Sequence, residues 1–328
     1  MRYLITGGAG FIGSHLAEAL IARGDSVVAL DNMATGSQRN VAGVEQHRNF
    51  RLEYGSILDE LLVDELIDEC DVVVHLGAAV GVRLIVEQPL RSLRTNIRGT
   101  EVVLDAVHRY RKKVFIASTS EVYGKTEGKM HELADRVLGP ASVARWSYSA
   151  SKAVDEHLAL AYWRERQVPI IIARFFNTVG PRQTGAYGMV IPRLVAQAIL
   201  GEEMTIFGDG TQTRCFCDVE DVVRAVVLLL DGPAAVGQVF NVGSEEEVSI
   251  LELAEKIREQ TGSASPMRLI PYMEVYGDQY EDMLKRSPDT TKIRRTLGWT
   301  PQHTLDAIIK RTIDYAHEVG PETLLGAR

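Results

Sequence analysis

Eight residues constrain this chain more than any others: Thr6-Gly7-Gly8-Ala9-Gly10-Phe11-Ile12-Gly13. They close the apolar run Arg2–Thr6 and open the helical stretch Phe11–Arg23, which stops at Gly24. Gly7, Gly10 and Gly13 are spaced by three. A strand, a tight glycine turn and a helix N-terminus in immediate succession meet three needs. The chain must turn sharply, the backbone must approach a pyrophosphate, and the helix must pack closely on the strand. The second strand, Ser26–Leu30, is closed by Asp31, 18 residues after Gly13. A carboxylate there accepts hydrogen bonds from an adenosine ribose and repels a 2′-phosphate, which favours NAD over NADP.

Further apolar, β-branched runs follow at Val72–Leu76, Val114–Ala117 and Ile170–Arg174. Helical stretches near 58–69, 92–111 and 147–166 separate them. This alternation predicts an α/β fold, a doubly wound parallel Rossmann sheet covered by helices on both faces. After about residue 177 glycine and proline become frequent, as in Val179-Gly180-Pro181 and Phe207-Gly208-Asp209-Gly210. The expected division is a dinucleotide-binding domain over 1–176, with a return to the main sheet near 219–243. A smaller α/β substrate-binding lobe is expected over 177–328.

Composition narrows the function. Net charge is −8, which disfavours general binding to nucleic acid or to an anionic membrane. No apolar stretch approaches the roughly 18 residues that span a bilayer, and no secretory pattern opens the chain, so a cytoplasmic protein is expected. The three cysteines fit a reducing compartment. Cys215-Phe216-Cys217 reads as alternation along one strand, and no cluster completes a metal site there.

The chemistry is expected at Trp146-Ser147-Tyr148-Ser149-Ala150-Ser151-Lys152. Tyr148 and Lys152 are four apart and share a helix face. Ser118-Thr119-Ser120-Glu121 ends a buried strand, at the edge that faces the ligand crevice in a parallel sheet. Hydroxyls and a carboxylate buried idle there are costly. A free tyrosine titrates near 10, so ionising it near neutrality requires roughly 3 units, about 4 kcal/mol. One cation at about 4 Å in an effective dielectric near 20 supplies about that much. Lys152, helped by an oxidised nicotinamide, is therefore expected to make Tyr148 the base that removes a hydroxyl proton as hydride leaves carbon.

The Gly7–Gly13 loop, Thr119 and the Tyr148/Lys152 pair resemble the extended short-chain dehydrogenase/reductase family, NAD-retaining enzymes of nucleotide sugars. Asn96-x-x-Gly99, Arg174-Phe-Phe-Asn177, Gly180-Pro-Arg182 and Gly208-Asp-Gly-Thr-Gln-Thr-Arg214 extend the resemblance along nearly the whole chain. It implies that Asn32, Ser56, Ile57, Leu76, Ala78 and Asn96 join Gly7, Gly10, Phe11, Ile12, Gly13, Asp31, Tyr148 and Lys152 in holding NAD. It also implies that Asn177 and Arg214 contact a substrate diphosphate. Ser56 departs from the family's usual aspartate, which implies weaker recognition of adenine.

The strand end decides the reaction. Family dehydratases carry Thr-Asp-Glu there, with the aspartate as acid, whereas this chain has Thr119-Ser120-Glu121. That triplet, with Tyr276–Met283 and Arg286-Ser-Pro-Asp289, resembles the UDP-glucuronate decarboxylases. Oxidation at C4 turns the C6 carboxylate into a β-keto acid, which loses CO2. Ser120 and Glu121 would then manage the enolate and the C5 proton. Arg286 is a candidate for gripping the carboxylate or the diphosphate, and Arg182 is a second candidate for the carboxylate. The expected reaction is UDP-glucuronate to UDP-xylose. The alternatives are 4-epimerisation of UDP-glucuronate or a UDP-hexose, 4,6-dehydration, and an NAD-sensing binding protein without turnover. The resemblance also implies a homodimer, with helices near 92–111 and 147–166 and residues Ala150, Ala153, Leu158 and Ala161 at the contact.

Overall fold

The computed structural model describes residues 1–81, 85, 87–186, 188–277, 281 and 283–326. Seven strands form the central sheet: β1 (Arg2–Thr6), β2 (Ser26–Asp31), β3 (Phe50–Tyr54), β4 (Val72–His75), β5 (Lys113–Thr119), β6 (Ile170–Phe175) and, returning late, Gln238–Val242. Their spatial order is β3-β2-β1-β4-β5-β6 and then Gln238–Val242, and every pairing is parallel. The order reverses direction between β1 and β4, which opens a crevice at their carboxyl ends. The central strands are apolar throughout because helices cover both faces.

One face carries α1 (Phe11–Ala22) and the late helix Val219–Asp231, with Leu16, Leu20, Val222 and Trp299 in its core. The other carries α2 (Glu60–Glu69), α3 (Pro89–Arg109) and part of α4 (Trp146–Arg166), with Val63, Ile67, Val103 and Val107 buried. A separate core joins α5 (Val190–Leu200) to Ile250–Thr261 and Leu305–Val319, around Leu194, Leu253 and Ile309. Local chemistry sets several of these ends. Asp218 caps Val219–Asp231 by accepting from Glu220 N at 2.8 Å, and Ser249 and Glu252 form a capping box for Ile250–Thr261.

Two expectations change here. Phe50–Tyr54 is an additional strand, at the edge of the sheet with Arg51 and Tyr54 exposed, so it lacks the apolar run of the inner strands. Cys215 and Cys217 do not alternate along one strand. Thr213–Cys215 and Cys217–Asp218 are separate short strands, and Cys215, Phe216 and Cys217 are all buried. Residues 278–280 and 282 of the decarboxylase-like stretch lie outside the described residues.

Beneath the crevice a buried ion network ties β6 to α4. Arg174 grips Glu156 with two hydrogen bonds of 2.8 Å, Ser118 donates to the same carboxylate, and Arg136 completes it. Burial opposes ionisation of Glu156, but these donors outweigh it and hold the carboxyl below its ordinary range. Its contribution to stability is therefore present above the unfolded value and fades as pH falls through the folded one. Replacing Glu156 by alanine leaves two guanidiniums without their shared anion. The expected cost is about 3–5 kcal/mol in urea unfolding at neutral pH, and a loss below about 1 kcal/mol would contradict this role.

Candidate functional site

At the carboxyl ends of the strands a cleft of about 720 Å³ runs from the glycine loop to the second core. That size suits a small-molecule site. Gly7 sits at φ +69, a left-handed conformation that glycine alone adopts freely. A Cβ on Gly13 would lie 2.2 Å from the Gly7 carbonyl oxygen, so helix and loop touch only because that atom is missing. Gly10 is the N-cap of α1, and no side chain caps the helix. Its first-turn N–H groups are thus presented to the cleft with the positive end of the helix dipole behind them. Asp31 accepts from Ala9 N at 3.0 Å and Met33 N at 2.8 Å. Burial pushes its carboxyl up, and those backbone donors pull it back. Both oxygens keep lone pairs for ribose hydroxyls.

Gly7, Gly10, Phe11, Ile12, Gly13, Asp31, Asn32, Ser56, Ile57, Leu76 and Ala78 all line this end of the cleft. The Ser56 hydroxyl accepts from Leu58 N at 3.2 Å within its own turn. Asn96 stands one layer behind the wall. Its carboxamide oxygen accepts from Ala79 N at 2.8 Å and its NH2 donates to Ser151, so it braces the 77–81 loop and α4 from inside.

The chemical end gathers Thr119, Ser120, Glu121, Tyr148 and Lys152 on one wall. Thr119 hydrogen-bonds the buried Tyr148 phenol. Two features differ from expectation. Lys152 spends a hydrogen bond of 2.7 Å on Asp155, a turn further along α4 and fully buried. The ammonium therefore does not act on Tyr148 as an isolated charge, which the arithmetic of one cation against one phenol assumed. Tyr148 itself is pushed well up, first by burial and then by the carboxylates of Glu121 and Asp155, against the pull of Arg145 and Thr119. The protein's own field keeps this phenol protonated, and cationic charge brought into the cleft lowers its proton affinity.

Glu121 is the second difference. It is ion-paired to Arg145, which is buried, and to Arg286 at 3.3 Å. Arg286 lies on the short strand Lys285–Arg286, beside Arg214 of Thr213–Cys215. That register brings Arg286 to the chemical end of the cleft. Arg214 also lines the cleft and donates to the Thr213 carbonyl at 2.8 Å, while Asn177 donates to the Cys215 carbonyl at 3.0 Å. Arg182 reaches the cleft wall but its guanidinium is spent on α1, bonding Glu18 at 2.6 Å and Ser14 at 3.3 Å. This makes it a brace between α1 and the loop after Val179 more than a carboxylate receptor. Ser118, nominated with its neighbours as facing the ligand, gives its hydroxyl to Glu156.

Sequence reasoning did not single out Arg145 or Asp155. Arg145 precedes the tyrosine by three residues and Asp155 follows the lysine by three, so each stands one helical turn from a nominated residue. That spacing was the available signal. Away from the cleft, Asp218, Glu220 and His303 converge. Arg311 already spans two of them, at 3.1 Å from Asp218 and on Glu220 as well. Among the described residues no helix is long and apolar enough to cross a membrane.

Comparison with known proteins adds to this geometry. Residues 4–312 match the family described as GDP-mannose 4,6 dehydratase. A UDP-N-acetyl-alpha-D-glucosaminuronate decarboxylase of Bacillus cytotoxicus is 40% identical over 319 residues, covering 97% of this chain and 98% of that protein. UDP-glucuronic acid decarboxylase 1 of Xenopus tropicalis is 34% identical over 96% of this chain and 72% of its own length. Among solved structures, UDP-glucuronic acid 4-epimerase from Bacillus cereus, in complex with UDP-glucuronic acid and NAD, superposes with a TM-score of 0.88. It is 30% identical over 97% of this chain and 100% of its own.

The glycine contact gives a direct test. Gly13→Ala forces a methyl against the Gly7 carbonyl, and calorimetric titration is expected to show NAD binding weakened at least tenfold, about 1.4 kcal/mol. Unchanged affinity would contradict the cradle.

Proposed function

The chain belongs to the GDP-mannose 4,6-dehydratase family of extended short-chain dehydrogenase/reductases, and we propose that within it this protein is an NAD-retaining decarboxylase of UDP-linked hexuronates. The observation that carries the reading is the position of Arg286, 3.3 Å from Glu121 on the wall that also presents Tyr148. A guanidinium at the reacting end suits a sugar carboxylate. The acid position of the dehydratases is Ser120 here, a poor donor.

The dinucleotide end fits NAD by its own features: a loop that a Cβ would block, an uncapped helix N-terminus and a buried carboxylate at the end of β2. Gly7–Gly13 and the first turn of α1 would hold the pyrophosphate, Asp31 the ribose hydroxyls, and Ser56 and Ile57 the adenine. Leu76 and Ala78 would wall the site, with Asn96 bracing it. When bound, NAD supplies the acceptor for the C4 hydride and later returns it.

The remaining chemistry falls to the chain. Tyr148 takes the proton from the sugar O4, with Thr119 hydrogen-bonded to it and Lys152 behind it. The C4 ketone makes C6 a β-keto carboxylate. Its C5–C6 bond breaks, CO2 leaves, and the electron pair becomes an enolate across C4 and C5. Arg286 orients the carboxylate before it departs. C5 takes its proton from a solvent water that Ser120 and Glu121 would order, and Tyr148 returns its proton to O4 as C4 is reduced. Asn177 and Arg214, which line the cleft, would meet the diphosphate. The product is the UDP-pentose, UDP-xylose when the substrate is UDP-glucuronate. We place the working protein in the cytoplasm as a homodimer joined through α3 and α4, where Val154 is exposed and Ala150, Ala153, Leu158 and Ala161 are half-buried.

Two hexuronates are distinguished by the relatives, with a 2-hydroxyl or a 2-acetamido group. Incubation of the purified protein with each, followed by mass spectrometry, is expected to show one losing CO2 to give a UDP-pentose. Loss of water or an unchanged mass with inverted C4 would replace decarboxylation by dehydration or epimerisation. Tyr148→Phe is expected to lower turnover at least 10²-fold, the usual scale of a positioned acid–base group, with NAD still retained. Glu121→Gln is expected to leave C4 oxidation intact and let a 4-keto product accumulate. Full turnover by the glutamine variant would contradict the role given to Glu121.

A further inference from the structure

The Lys152–Asp155 pair belongs to a longer buried chain. Gly77 N donates to the Thr6 hydroxyl at 3.0 Å, and Thr6 Oγ1 lies 2.8 Å from His75 Nδ1. His75 Nε2 lies 3.2 Å from the Thr100 hydroxyl, and the Thr100 side chain stands beside Asp155 and favours its ionised form. Asp155 in turn accepts from Lys152 at 2.7 Å. Thr6, His75, Thr100, Lys152 and Asp155 are all buried. Burial first, then the nearby Lys152, lowers His75 to about 3, so its ring stays neutral. A neutral ring has one donor and one acceptor nitrogen. Asp155 thus sits between the Thr6–His75–Thr100 chain and the ammonium of Lys152, which is the group that holds it.

We propose that Asp155 is the positioning residue of the proton-transfer machinery: it anchors the Lys152 ammonium and offsets part of its charge, so that Asp155 sets the pH at which Tyr148 becomes a base. This rests on the reading of Tyr148 as the base. The other charged and titratable groups facing the pair are accounted for. Glu121 is paired with Arg145 and Arg286, and Glu156 with Arg174 and Arg136. His75 is neutral, and Thr119, Asn96 and Ser151 are uncharged. Asp155 is the carboxylate that meets Lys152, and it acts on Tyr148 through Lys152 and through space. A buried carboxylate here makes the phenol harder to ionise, and its removal makes the phenol easier to ionise.

The test is the pH profile of kcat/KM for CO2 release by the NAD-loaded enzyme, in wild type, Asp155→Asn and Asp155→Glu. With the asparagine variant the acid limb is expected about one pH unit lower, a tenfold gain in phenolate at a given pH. The glutamate variant keeps the charge and is expected to hold the limb within about 0.3 unit while kcat falls, because the ammonium is displaced. An Asp155→Asn limb that stays in place, or moves to higher pH, overturns the proposal. Should the asparagine variant not fold, a shifted limb in Asp155→Glu overturns it equally. If Tyr148→Phe keeps its activity, the underlying reading of the base fails instead, and the two failures are told apart.

Discussion

The buried ion pair of Lys152 and Asp155, one turn along α4 from Tyr148, is the interaction on which the proposed chemistry depends. It places a full positive charge inside the protein without leaving it unpaired, which would be strongly unfavourable. The cost to catalysis is that the ammonium's field at the phenol is reduced, and burial and Glu121 reduce it further in effect. Burial and the carboxylates of Glu121 and Asp155 thus keep the phenol hard to ionise, and positive charge entering the cleft would ease its ionisation.

The cleft's two ends are organised by different means. At one end, backbone makes the site: Gly7 turns the chain, Gly13 admits the Gly7 carbonyl, and the helix start offers N–H groups. At the other, side chains on separate elements make it: Glu121 after β5, Tyr148 and Lys152 on α4, and Arg286 on a two-residue strand. Arg214, on the strand paired with that of Arg286, and Asn177, after β6, also line the cleft. Parallel strands ending at one edge are what bring these distant segments together.

Much of this was legible in the sequence because it rests on local rules. The glycine spacing, the apolar inner strands, and a phenol and ammonium four residues apart each follow from one stretch of chain. A return to the main sheet was expected near 219–243, and the seventh strand there is Gln238–Val242. What escaped was settled by tertiary context. Phe50–Tyr54 is an edge strand, so its charged residues concealed it. Cys215 and Cys217 look like alternation, but their three-residue stretch is buried on every side. Arg182 reads as free to bind a carboxylate until Glu18, 164 residues away in the chain, is seen to hold it. Arg145 and Asp155 escaped notice because only the fold buries them against Glu121 and Lys152.

The claim that oxidation at C4 precedes loss of the carboxylate is open to a single rapid-mixing experiment. Enzyme carrying NAD is mixed with one equivalent of the UDP-hexuronate, and reduced-nicotinamide absorbance is followed beside CO2 release. The account requires the absorbance to rise before CO2 appears and to fall as UDP-pentose forms. Release of CO2 with no transient reduced nicotinamide would contradict it.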